Sequence, residues 1–251
     1  MKRILITGAS GFIGSYLVRH LQGFELQTLS LQDPQWQETS IDADVIIHCA
    51  GLAHASRQID EQLYQEVNCE LTKQLLEKAK SSKVSHLIFL STALVYGEGH
   101  LGEISTSTPL NPQNAYAKSK VCAEVAVQSD ADLSTLILRL PLVIGDEPKG
   151  NLRSLARLSK VSPLFPKLTN LRSILRLTDL VRVINEAILH QTTGTLHPRS
   201  QQLSTSELYQ QLRASSTLLI PFPPSVVIFL RNHSRFFAKL FGDFYYAEEL
   251  L

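Results

Sequence analysis

Tyr116 and Lys120 stand four residues apart in Tyr116-Ala-Lys-Ser-Lys120. On a helix that spacing puts both side chains on one face. An ammonium beside a phenol favours the phenolate and lowers its pKa, and a phenol lowered in this way can act as an acid–base near neutral pH. Ser91 and Thr92 close the apolar run that starts at Val84. If that run is a strand, both hydroxyls sit at the carboxyl edge where α/β proteins form their sites. There they can orient a carbonyl or an alcohol, or simply cap the strand end.

A second cluster stands at the other end of the chain. Thr7-Gly-Ala-Ser-Gly-Phe-Ile-Gly14 spaces its glycines as G-x-x-G-x-x-G, after a predicted strand at 4–7 and before the helical spacing of Ile13, Tyr16, Leu17 and Leu21. That is the context of a dinucleotide-binding turn. Gly8 permits the tight turn, Gly11 the close approach of a pyrophosphate, and Gly14 the packing of helix on strand. Backbone N–H groups of the turn, with Ser10, Phe12 and Ile13 in it, and the helix dipole favour phosphate charge. Ser30 and Asp33, about 20 residues on, are the candidates for the adenosine ribose. No arginine stands there for a 2′-phosphate, so NAD and NADP both remain open.

These residues need a scaffold. The periodicity predicts strands at 4–7, 26–31, 44–50, 84–91 and 134–140, and helices at 13–22, 58–80 and 114–128. Strand and helix in alternation predict an α/β doubly wound parallel sheet. After Pro141 the pattern becomes helical, at 151–160, 178–190, 205–214 and 224–240. The expected division is 1–145 for the sheet domain and 146–251 for a small, mostly helical C-terminal lobe.

Composition limits the function classes. The chain has 251 residues, 44% hydrophobic and 19% charged, with 24 Lys and Arg against 23 Asp and Glu and a net charge of +1. This excludes a disordered chain and a generic polyanion binder. Cys49, Cys69 and Cys122 are odd in number with no C-x-x-C, which argues against a disulfide scaffold or structural zinc; Cys49 and Cys122 read as core thiols. His48, inside a strand, reads as structural. His54, in the loop after it, is a lesser candidate for touching substrate. No signal peptide or membrane span is evident, so the chain reads as cytoplasmic with membrane association not expected. The tail near Phe236 to Phe241, with Arg231, Arg235 and Lys239, reads as a helix closing the small lobe; a membrane-surface helix is the second reading.

The glycine turn, Asp44-Val-Ile-Ile-His-Cys-Ala50, Val67-Asn68, Phe89-Leu-Ser-Thr-Ala-Leu-Val-Tyr-Gly97 and Tyr116-Ala-Lys-Ser-Lys120 together resemble the extended short-chain dehydrogenase/reductases of Rossmann fold. They resemble most the nucleotide-sugar epimerase/dehydratase group, over residues 1 to about 190. The resemblance implies Thr92 as the catalytic hydroxyl, Tyr116 as acid–base, and Lys120 as the residue that lowers its pKa and binds the nicotinamide ribose. It implies Ala50, Gly51, Leu52 and Asn68 along NAD or NADP. Ser91, His54, Lys149, Asn151 and Arg172 would meet a nucleotide-diphosphate sugar, expected to be UDP-linked. A homodimer through helices 58–80 and 114–128 is implied as well.

Two departures stand out. Only Gln32 to Ala43 separate the second strand from Asp44, where the family usually has a further helix, strand and acidic adenine contact, and the carboxyl end is short. The expected function is an NAD(P)-dependent nucleotide-sugar epimerase or 4-keto-sugar reductase. The alternatives are a catalytically degenerate dinucleotide-binding or scaffold protein, and a reductase of an unrelated carbonyl compound.

Overall fold

The computed structural model describes residues 1–53, 60–98, 102–130, 132–145, 151–213 and 215–250. The chain forms two compact units. The first is Met1–Val95, Pro112–Leu140 and Leu177–Pro198; the second is Tyr96–Asn111, Pro141–Arg176 and Arg199–Leu251. The single cut at 145/146 read from the sequence is therefore replaced by repeated crossings. Helix Leu177–His190 and strand Gly194–Leu196 return to the first unit, and 96–111 leaves it.

The first unit holds a six-stranded, all-parallel sheet. In chain order it begins with β1 (Arg3–Thr7), α1 (Phe12–His20), β2 (Glu25–Leu29), β3 (Val45–His48), α2 (Glu61–Gln65), α3 (Leu71–Ser81), β4 (His86–Thr92) and α4 (Ala115–Gln128). From one edge the strands run β2, β1, β3, β4, Ser134–Leu140 and Gly194–Leu196. The doubly wound expectation holds. The order reverses at β1, with β2 on one side and β3 on the other, so the crevice at this switch point lies over the carboxyl ends of β1 and β3.

Burial explains the strand sequences. All seven residues of β4 are buried, as a central parallel strand covered on both faces requires. One core cluster joins Leu5, Ile46, Leu87, Phe89 and Ile137 of the sheet to Leu75, Leu76 and Ala79 of α3 and Ala123 and Val127 of α4. The short interval after β2 enters the same cluster. Leu31, Trp36, Ile41 and Ala43 are buried in it, so these apolar residues cover the sheet face themselves.

The helices start where their caps dictate. Asn114 accepts from Ala117 N at 2.8 Å at the start of α4, and Asp60 accepts from Gln62 N at 3.1 Å at the start of α2. Between α2 and α3 the chain widens into a π-helical turn, Glu66–Glu70, a feature often found at functional sites. Cys69 in this turn is disulfide-bonded to Cys122 of α4, with Cα atoms 5.7 Å apart. This corrects the reading of Cys122 as a core thiol: the partners are 53 residues apart, and only the packing of α4 on the turn brings them together. Cys49 is the free cysteine.

The second unit contains three of the four helices expected after Pro141, the last broken at Ser234 into Pro224–His233 and Arg235–Phe241. It also contains strands the sequence reading did not place. Gln201–Leu203, Arg172–Arg176, Phe244–Tyr246 and Gly102–Ile104 form one sheet, with Leu142–Ile144 also on Arg172–Arg176. Leu164–Lys167 and Leu218–Pro221 form a separate two-stranded ribbon. A core of Leu152, Leu155, Phe165, Ile174, Tyr209 and Phe241 holds this unit. No described helix is long and apolar enough to cross a membrane.

Candidate active site

The glycine turn joins β1 to α1. Gly8 has φ +68°, a left-handed conformation that glycine adopts without strain, and a Cβ there would approach Ala50 N to 2.6 Å. A Cβ on Gly14 would run into the Gly8 carbonyl. Gly11 is the extended N-cap of α1 and brings no side chain to the helix end, so the first-turn amides face an approach left open. Ser10 and Gly11 are exposed, while Phe12 and Ile13 are half-buried. A bare helix N-terminus behind a glycine cradle at a switch point fits a dinucleotide pyrophosphate.

The loop after β3 is fixed from below. Thr7 Oγ1 lies 2.7 Å from His48 Nδ1, and His48 Nε2 lies 2.9 Å from Thr72 Oγ1. Thr72 donates to Asn68 O at 2.8 Å, so its oxygen must accept from His48 Nε2–H, and Thr7 must donate to Nδ1. Burial, with a contribution from the Lys120 charge, lowers the His48 pKa to about 3, which keeps the ring neutral in this chain of bonds. His48 is structural, as expected. Asn68 is buried in the π-turn. It accepts from Leu52 N at 2.7 Å and donates to Leu52 O at 3.1 Å and Ser119 Oγ at 2.9 Å. It thereby ties Ala50, Gly51 and Leu52 to α4, and a Cβ on Gly51 would press on its Oδ1 at 3.1 Å.

The Thr92 hydroxyl stands near enough to the Tyr116 phenol to bear on its pKa. Thr92 Oγ1 accepts from Leu94 N at 3.2 Å. Tyr116 starts α4, half-buried, with the Tyr64 ring 6.3 Å away, centroid to centroid. The lowered phenol pKa expected from the sequence does not appear. Burial pushes it up to about 12, against the Thr92 hydroxyl that lowers it, and Tyr64 adds to the rise. Lys120 lies one turn along α4, 4% exposed, its Nζ 3.8 Å from the centroid of the Phe89 ring. Burial lowers its pKa to about 7, opposed by the charges of Glu124 and Cys49. Burial likewise raises the Cys49 thiol to about 12.

Ser91 does not join this group. Successive strand residues face opposite sides, and the Ser91 hydroxyl donates to the buried carboxylate of Glu124. Glu124 also takes Arg139 Nη2 at 2.7 Å. The sequence reading missed this pair, although Glu124 stands four residues after Lys120 on a helix, a spacing that marks a shared face.

The remaining candidates divide. Ser30 and Asp33 are exposed after β2, and Asp33 Oδ1 accepts from Gln35 N at 2.9 Å, so the carboxylate already caps its own turn. Arg172 belongs to the second unit, on strand Arg172–Arg176, with Nη1 3.3 Å from Gly242 O; burial lowers its pKa, opposed by Asp243. Asn151 opens helix Asn151–Val161, and only its backbone is described. His54 and Lys149 lie outside the described residues.

Comparison with known proteins follows this geometry. The model of the NAD dependent epimerase/dehydratase family matches residues 4–197. A UDP-glucose 4-epimerase of Vibrio cholerae is 31% identical over 278 aligned positions, covering 96% of this chain and 83% of the relative. That alignment is longer than the chain, so the relative has segments that this chain lacks. Among solved structures, dTDP-4-dehydrorhamnose reductase of Bacillus anthracis in complex with NADP superposes with a TM-score of 0.74 at 21% identity, over 90% of this chain and 86% of that one. UDP-glucuronic acid 4-epimerase of Bacillus cereus in complex with NAD has a TM-score of 0.71 at 21% identity, over 87% of each chain.

Proposed function

The chain belongs to the NAD dependent epimerase/dehydratase family, and from that premise we propose that it is an NAD(P)-dependent enzyme acting on a sugar carbon of a nucleotide-diphosphate sugar, with Tyr116 as acid–base. The observation that carries this reading is the Thr92 hydroxyl acting on the Tyr116 phenol, with Lys120 one turn further along α4. When bound, NAD(P) accepts a hydride from the sugar carbon or returns one. The glycine turn and Ala50 to Leu52 would hold it.

Thr92 holds the reacting oxygen of the sugar, and Tyr116 Oη exchanges a proton with it. With its pKa near 12 in the free protein, Tyr116 starts as the acid, ready to protonate the oxygen of a ketone as the hydride arrives. The opposite direction needs the phenolate. The Lys120 ammonium favours it, and becomes more effective as a ligand closes the site to water. An epimerase uses both directions through a transient ketone; a 4-keto-sugar reductase uses only the first. The Vibrio relative, alignable over most of its length, favours the epimerase and a UDP-linked substrate. Arg172 suits a diphosphate, since its guanidinium can bond it bidentately.

A homodimer through α2 to α4 is part of this reading, supported by the exposed apolar side chains of Leu63 and Val125. A second reading, a dinucleotide-binding protein without turnover, draws on the short interval after β2, where Trp36 is buried and Asp33 is engaged in its own turn. One experiment separates them: purified protein is supplied with UDP-glucose or UDP-galactose, with and without added NAD(P), and the sugars are resolved. Interconversion supports the epimerase. Bound cofactor with neither interconversion nor reduction of a 4-keto sugar supports the second reading.

A further inference from the structure

The net charge of +1 conceals a strong asymmetry. Segments 151–176 and 199–241, both in the second unit, carry eleven Lys and Arg against one acid, Glu207. The rest of the chain is correspondingly acidic. The same unit exposes apolar surface where polar residues belong. In the ribbon Leu164–Lys167 with Leu218–Pro221, alternation sends Phe165 and Leu219 into the core. The outward positions of a half-buried sheet should then be polar. They are Leu164, Leu218 and Ile220 instead, with Leu218 64% exposed. The chain continues through exposed Phe222 into helix Pro224–His233. There Val227 and Leu230 pack on the core, while Ile228 and Phe229 face outward, Phe229 58% exposed. On the other side, the ribbon is preceded by the end of helix Asn151–Val161, which exposes Leu158 and Val161 beside Arg157 and Lys160.

We propose that this face of the second unit, the ribbon and helix Pro224–His233 with the cations Arg157, Lys160 and Lys167, docks on an anionic phospholipid surface. Apolar side chains beside Lys and Arg are what an interfacial contact needs: the former enter the headgroup boundary and the latter meet lipid charge. Charge argues against a second copy as the occupant, because two such units would bring like charge together. The side chains argue against nucleic acid, since aliphatic Leu158, Val161, Leu164, Leu218, Ile220 and Ile228 outnumber the two rings, Phe222 and Phe229, on which bases could stack. A sugar-nucleotide enzyme held there would release its product at the bilayer.

The test is co-sedimentation of the full-length protein with vesicles of phosphatidylcholine alone or of phosphatidylcholine with phosphatidylglycerol. The proposal expects partitioning at least about tenfold higher with the anionic vesicles, lost at high salt. Ile228→Asp with Phe229→Asp, and separately Lys160→Glu with Lys167→Glu, should each lower it by about tenfold or more, with an unchanged melting curve because all four side chains are exposed. The two pairs act through different terms, so either one tests the proposal if the other misfolds. Equal partitioning on both vesicle types overturns it, as does wild-type partitioning of both variants. So does a change from dimer to monomer in the Asp variant without vesicle binding in the parent, which would assign the face to a second copy. Heparin binding that matches vesicle binding and ignores the Asp variant would assign it to a polyanion and overturn the proposal equally.

Discussion

The hydroxyl of Thr92, at the end of β4, acts on the phenol of Tyr116, at the start of α4, and favours its ionised form. This influence opposes the burial that raises the Tyr116 pKa. Removing it should weaken catalysis without loosening the fold. Thr92→Val is expected to lower kcat by about tenfold to a hundredfold, the worth of one hydrogen bond to a developing charge, with little change in KM. Steady-state kinetics of the variant check this; an unchanged kcat would remove Thr92 from the chemistry.

Lys120 ties function to a cost in stability. Its pKa is about 7 in the fold and 10.5 when unperturbed. Between those values the unfolded chain binds a proton that the folded chain does not, so stability rises with pH through that window. Burying the ammonium is most costly at pH 7 and below. Lys120→Met should therefore lose activity yet melt at a higher temperature at pH 7, with the gain shrinking toward pH 10.5. Melting curves of the two proteins across that range check it, and a variant less stable at pH 7 would contradict it.

The acid limb should belong largely to histidines. His48 has its pKa lowered to about 3 and His197 to about 4, both by burial first. Stability is then full above the usual histidine pKa of about 6.5 and falls as pH drops below it, since the unfolded chain takes up protons first. His48→Gln should flatten this dependence between about pH 6 and 4, at some cost at pH 7 because Thr7 and Thr72 lose a bridge that spans both. Denaturant midpoints measured at several pH values test the slope.

Much of this was legible in the sequence. The glycine turn, the order of strands and the Tyr116–Lys120 spacing are local patterns, set by periodicity and backbone sterics. What escaped depends on distant partners. Strand Phe244–Tyr246 pairs with Gly102–Ile104, some 140 residues earlier, and shows no alternation of its own. Ser91 looked equivalent to Thr92 until the pleat turned it toward Glu124. The Tyr116 phenol was expected low because a lysine was near; burial, which no spacing reveals, reversed the sign. The basic character of the second unit was hidden in a total that sums to +1.

The Cys69–Cys122 bond closes a loop between residues 53 apart and joins the π-turn to α4. Restricting the unfolded chain in this way is worth about 2–4 kcal/mol. Cys122→Ser, or reduction by dithiothreitol, should lower the denaturant midpoint accordingly. An unchanged midpoint on reduction would show that the bond adds nothing to the fold.

The central claim is that Tyr116 moves the proton. The most direct measurement is turnover of a UDP-sugar or a 4-keto sugar by Tyr116→Phe beside the parent enzyme, with bound NAD(P) released by denaturation and quantified in both. The account predicts equal cofactor content and a kcat lower by about a hundredfold to ten-thousandfold in the variant. Equal turnover by the two proteins would contradict it.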